Sequence, residues 1–155
     1  MPEPFRPDRT EPNSPLVMNL PNRARILIVC NNEVDTHGLK TVLREAGLPS
    51  ESAGTITAAC ERARSGGIQV VFSSPYLEDG SWRRLIDLAH YHDLGFEVVL
   101  LARTFSDKEW AEALQEGAFD VLDVLTDLNR AADVARSAAG ADYLRRFRPR
   151  QKQAA

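Results

Sequence analysis

The side chains in this chain that could do chemistry stand mostly apart from one another. Cys30 and Cys60 are its two cysteines, and no C-x-x-C spacing offers a metal or redox pair. Both are expected to be reduced, buried thiols; Cys30 would act as a redox sensor only if nearby cations or a helix N-terminus lowered its pKa. The histidines are His37, His90 and His92. His90 and His92, two residues apart, face different sides of a helix, so they read as surface groups and not as a ligand pair. Ser73-Ser74 lacks the G-x-S-x-G frame of a hydrolase elbow. No G-x-G-x-x-G follows an early strand, and there is no phosphate-binding P-loop. A displaced acidic site from Glu33, Glu78 and Asp79 is one alternative; otherwise Asp79 serves a turn and the glutamates are solvated. These residue types predict no enzyme, no metal centre and no cofactor.

The elements that must position these residues follow from the hydrophobic pattern. Apolar residues make up 43% and charged residues 26% of 155 residues, which suits one soluble domain with a real core. Six of the nine prolines fall in the first 21 residues, so residues 1–23 are expected to form a flexible leader. Ile26 to Val29 is a short β-branched run, as in a strand buried on both faces. Leu39, Val42, Leu43 and Ala46 then repeat at helical spacing up to Gly47. The alternation continues with a weak strand at 49–53, a helix over Ile56 to Ala63, and a strand over Ile68 to Phe72. The Asp79-Gly80 turn leads into a helix carrying Trp82, Leu85, Ile86 and Ala89. Phe96 to Leu101 is the most apolar strand. Ser106-x-x-Glu109 is a capping box for a helix with Trp110, Ala113 and Leu114. Both tryptophans read as packing residues. Phe119 to Leu122 is a fifth strand, and Thr126 is expected to cap a last helix through about Ala139.

Five strands joined by five helices predict an α/β fold, a doubly wound five-stranded parallel sheet in a three-layer (βα)5 sandwich. Ligands in such sheets sit beyond the carboxyl ends of the strands. Those ends are Cys30-Asn31, Ser73-Ser74, Leu101-Ala102 and Val124. The ordered domain is expected over residues 24–141, followed by a basic tail over 142–155. Over residues 145–155, Arg145, Arg146, Arg148, Arg150 and Lys152 give +5 with no acid within a net charge of −3, so the rest of the chain is acidic. An acidic body makes a nucleic-acid partner unlike what the charge predicts. The chain shows no membrane-length apolar run and no signal-peptide pattern, which predicts a cytoplasmic protein with no membrane contact.

Four segments in order resemble the CheY-like (flavodoxin-like) receiver domains of response regulators. Arg25 to Asn32 (RILIVCNN) is similar to the family's ILIVDDD opening. Val70 to Gly80 (VVFSSPYLEDG) is similar to VVxxDxxLPDG. Val98 to Arg103 (VVLLAR) resembles VIVLTAR, and Glu112 to Val124 (EALQEGAFDVLDV) resembles EALEAGADDYLxK. The resemblance covers residues 25 to about 140. It implies a signalling role in a two-component, phosphorelay pathway, and it also locates the departures. The acidic pair that holds magnesium corresponds to Cys30 and Asn31. The phosphoacceptor corresponds to Ser74, the conserved threonine or serine to Leu101, the aromatic switch to Val121 and the lysine to Val124.

A thiol and an amide supply none of the carboxylate charge a magnesium ion prefers. Phosphoryl transfer leans on metal and cation to offset moving charge. The expectation is therefore a degenerate receiver, a pseudo-receiver acting through protein–protein interaction. The resemblance places its partner surface on the fourth helix, fifth strand and fifth helix (106–116, 119–122, 126–139). Lys108, Asp123, Asp127 and Arg130 are its candidate contacts, and homodimerisation is a further possibility. The alternatives are a working phosphorelay receiver with a non-standard acceptor, and an accessory that binds nucleic acid or a surface through the basic tail.

Overall fold

The computed structural model describes residues 25–147; the leader over 1–23 and the distal part of the basic tail lie outside the described residues. Its main sheet contains β1 (Ile26–Val29), β2 (Ser50–Ala53), β3 (Val70–Ser73), β6 (Glu97–Ala102) and β7 (Asp120–Asp123). All neighbouring pairs are parallel, in the order β2-β1-β3-β6-β7. Helices α1 (Glu33–Glu45), α2 (Ile56–Arg64), α3 (Arg83–His92), α4 (Asp107–Gln115) and α5 (Ala131–Phe147) supply the crossovers and the closing layer. This is the doubly wound sandwich that the alternating pattern predicts.

Side chains on a strand alternate between its two faces, and the core divides accordingly. Ile26, Ile28, Val70, Phe72, Val99, Leu101 and Leu122 pack with α1 and α5. Leu27, Val29, Val71, Val98, Leu100 and Val121 pack with α2, α3 and α4. Small alanines at 131, 135, 138 and 139 bring α5 close to the sheet. Gly38 has a similar purpose in α1, because a Cβ there would meet Leu128 Cδ1 at 3.1 Å.

Several local expectations change. Thr126 does not cap the last helix: a 3-10 turn over Leu128–Arg130 intervenes, and α5 starts at Ala131. The helix runs on to Phe147, so the proximal part of the segment read as a tail after residue 141 is helical. Its alanine-rich composition favours continuation, since alanine loses least on entering a helix. The Asp79-Gly80 turn closes a two-stranded hairpin, β4 (Tyr76–Leu77) with antiparallel β5 (Gly80–Ser81). Leu114, placed on the inner stripe of α4 by its spacing, is 42% exposed.

Candidate functional site

The order β2-β1-β3-β6-β7 reverses direction between β1 and β3, and ligands of such sheets bind at that reversal, beyond the carboxyl ends. Val29 pairs in register with Ser73, and Ser73 with Leu100. The Ser74 N–H donates to the Val29 carbonyl at 2.9 Å, and the Val124 N–H to the Ala102 carbonyl at 2.9 Å. The fold therefore sets Cys30 and Ser74 on adjacent strands, with Leu101 on the next strand and Val124 on the one after. Cys30, Leu101 and Val124 all belong to the apolar core under α1 and α5, whereas Val121 faces the opposite layer.

Two of the polar groups at this mouth are already engaged. Cys30 is 6% exposed, and its Sγ accepts from the Asn32 N–H at 3.4 Å while facing the Asn32 carbonyl at 3.7 Å. Asn31 is exposed and Ser74 half-buried. Ser73 is fully buried, and its hydroxyl donates to the Ser74 carbonyl at 2.8 Å. No group of three or more His, Cys, Asp or Glu side chains among the described residues is arranged to hold a metal.

An ion pair that sequence reading missed stands at this end of the sheet. Arg103 directly follows β6, and its Nη2 donates to both oxygens of Asp35, in the first turn of α1, at 2.7 and 2.8 Å. The Asp35 side chain is only 13% exposed, so the pair is partly shielded from water. The next residue, Thr104, has φ +53. A β-branched residue in this region is strained, and the Thr104 hydroxyl bonds the Arg103 carbonyl at 2.6 Å. The clasp thus ties the strained loop that leads into α4 to the start of α1. Sixty-eight positions separate its partners, and no local pattern links them.

The acids weighed for a displaced site are dispersed. Asp79 Oδ1 and Oδ2 accept from the N–H groups of Ile56 and Thr57, each at 2.8 Å, so the carboxylate caps α2 from outside that helix. Bonding to Thr57 and Ile56 holds its pKa down at about 2. The expectation that Asp79 merely serves its own turn misses this cap, because the two segments meet only in the fold. Thr55 caps the same helix through the Ala58 N–H at 3.0 Å. Glu33 lies in the first turn of α1, and Glu78 is exposed beside the hairpin turn. His90 and His92 are exposed at the end of α3. Cys60 is buried on the inner face of α2, and burial pushes its thiol pKa up.

The four candidate contacts on α4, β7 and α5 divide by engagement. Asp123 Oδ1 accepts from the Leu125 N–H at 2.8 Å, which shapes the turn after β7. Arg130 lies 3.6 Å from both Asp120 and Asp127. Lys108 is exposed on α4. Leu125, just past β7, is 57% exposed.

This architecture is that of receiver domains. The signal receiver domain of a putative Luxo repressor protein from Vibrio parahaemolyticus superposes with a TM-score of 0.72 at 18% identity, over 81% of this chain and 96% of that one. The receiver domain of an HD domain-containing protein from Pseudomonas fluorescens Pf-5 gives 0.71 at 23% identity, over 83% and 95%. The beryllofluoride-activated NtrC4 receiver domain, a dimer, gives 0.68 at 21% identity, over 76% and 98%. No protein-family model and no curated protein sequence matches the chain. At these identities the likeness defines the fold: a five-stranded receiver sandwich.

The receiver fold implies a magnesium ion at the mouth, and the side chains here do not fit one. Such an ion wants hard, charged oxygens. The first strand ends instead in a thiol hydrogen-bonded back onto its own loop, the Asp35 carboxylate is held by Arg103, and Asp79 caps α2.

Proposed function

We propose that the chain is a receiver-fold signalling module, not an enzyme, which acts through phosphorylation-independent protein–protein contact. The observation that carries this reading is the state of the sheet mouth. The positions at the strand ends hold Cys30, Asn31, Ser74, Leu101 and Val124, and the Asp35 carboxylate beside them is tied to Arg103. A serine hydroxyl is a weak nucleophile unless a base activates it, and no base is hydrogen-bonded to Ser74 among the described residues. The clasp between Asp35 and Arg103 acts in place of a phosphoryl-dependent contact and keeps the loop before α4 in one arrangement.

The surface offered to a partner is α4, β7 and the start of α5, where Lys108 and Leu125 are exposed. Dimerisation of the NtrC4 receiver domain supports self-association as one form of output. The test is incubation with acetyl phosphate and magnesium, followed by intact mass, and NMR with beryllium fluoride. No phosphoryl adduct and no shift at Ser74 are expected. An adduct lost in Ser74→Ala would replace this reading with a working receiver that uses a non-standard acceptor.

A further inference from the structure

Three observations meet in the stretch from Arg103 to α4. The first is strain: Thr104 has φ +53, a region that a β-branched residue enters only at a cost. Its hydroxyl bonds the carbonyl of the residue before it, a local contact that does not tie the loop to the rest of the fold. The second is the clasp, which joins Arg103 to Asp35 of α1 through both carboxylate oxygens. The third is how lightly α4 is held. Ala113 is its one buried residue and Trp110 is half-buried, while the other seven positions are exposed. Helix α2, of the same length, buries Ile56, Ala59, Cys60 and Ala63.

A strained backbone persists only where its surroundings over-determine it. Thr104 stands between the clasp on one side and α4 on the other. Phe105 packs partly against the core layer under α2, α3 and α4, and the Ser106–Glu109 capping box binds the start of α4 to its own first turn. A change of φ at residue 104 therefore redirects the chain as it enters α4, and α4 has little buried surface with which to resist. The strain at one such residue and the strength of a half-exposed ion pair are of the same order, so loss of the pair is enough to let Thr104 relax.

We propose that the Asp35–Arg103 clasp is a releasable latch on α4. Closed, it holds Thr104 at positive φ and fixes the helix; open, Thr104 relaxes to negative φ and the helix shifts. The latch rests on the reading of α4 as part of the partner surface and supplies its regulation. A partner that favours the shifted helix opens the latch by binding, with no covalent change to the chain.

NMR of the full chain tests the latch, because the intraresidue Hα–HN NOE is strong only at positive φ. Thr104 should show a strong one in the unsubstituted protein. Arg103→Ala and Asp35→Ala should each reduce it to the level of residues with negative φ and shift the amides of Lys108, Glu109 and Glu112, with the amides of β3 as the control for an intact sheet. Glycine accepts positive φ without penalty, so adding Thr104→Gly to Arg103→Ala should return those α4 amides toward their original positions. An adduct on Ser74 from acetyl phosphate would remove the phosphorylation-independent reading and leave these NOE outcomes as they are. A weak NOE at Thr104 in the unsubstituted protein overturns the latch, as does a strong one retained in both clasp variants. Amides of α4 that stay in place while Thr104 relaxes overturn its hold on the helix.

Discussion

The mouth over β1, β3 and β6 and the notch of about 490 Å³ between β2 and α1 meet at the end of β1, where Cys30 and Asn31 line the notch as well, yet several of their polar groups differ in state. At the mouth the Cys30 thiol, the Ser73 hydroxyl and the Asp35 carboxylate each have a partner within the chain. At the notch the Thr36 hydroxyl and the Lys40 ammonium have none among the described residues. A polar group with an internal partner contributes to the fold and resists a ligand, because binding must first break that contact. A buried group left unpartnered, like the Thr36 hydroxyl, costs the fold stability, whereas the Lys40 ammonium keeps its interaction with water. The comparison therefore separates polar groups that serve the fold from polar groups that do not.

The sharpest way to break this contrast is to restore charge at the mouth. Cys30→Asp places a carboxylate at a site 6% exposed within the apolar core under α5. The desolvation cost should lower unfolding free energy by about 3 kcal/mol in urea titrations. Ser52→Asp, at an exposed notch position, should change it by about 0.5 kcal/mol or less. If Cys30→Asp is tolerated equally well, or regains its stability on adding magnesium, the mouth is not committed as described.

A smaller effect should follow from opening the clasp. Arg103→Ala leaves a mostly buried Asp35 carboxylate without its partner, and a cost of about 1 kcal/mol is expected for a pair shielded on one side only. A double-mutant cycle with Asp35→Ala should recover a coupling of similar size. Hydrogen exchange should speed up at Phe105 to Asp107, where the loop leads into α4. Faster exchange spread evenly over the molecule would mean that the clasp contributes general stability and does not hold that loop.

Two further carboxylates give the chain an acid limit. Glu51 is pulled to about 2 by Arg62 and Arg25, and Asp79 to about 2 by the Thr57 side chain and then the Thr57 and Ile56 amides. A depressed native pKa stabilises the fold above the unfolded value and is lost as pH falls toward the native one. Stability should therefore decline between about 4.5 and 2 for Glu51 and between about 3.8 and 2 for Asp79. Solvent screening limits the Glu51 contribution to about 1 kcal/mol or less. Glu51→Gln and Asp79→Asn should flatten the pH dependence of Tm within those windows and leave it unchanged near neutrality.

The fold was legible in the sequence because its determinants are local and periodic. Ile26 to Val29, the stripe at Leu39, Val42 and Leu43, and the Ser106–Glu109 capping box each announce an element within a few residues. The polar contacts were not legible, because they join segments distant in sequence. Nothing near Asp79 points to the N-terminus of α2, and nothing near Asp35 points to Arg103. Leu114 shows the limit of periodicity, since spacing identifies a helix face but not how far the neighbouring layer extends over it.

The smallest predicted effect has the opposite sign and probes the notch directly. Thr36→Val keeps a β-branched side chain of nearly the same shape in α1 but replaces the buried, unpartnered hydroxyl with a methyl group. In the ligand-free protein this should raise unfolding free energy by about 0.5 kcal/mol, because an unsatisfied oxygen is exchanged for an apolar atom in the same space. Most substitutions of buried residues destabilise, so a gain here would be specific to the missing partner. If Thr36→Val instead destabilises the free protein, the hydroxyl is satisfied in solution, and the contrast between an engaged mouth and an unengaged notch loses one of its two supports.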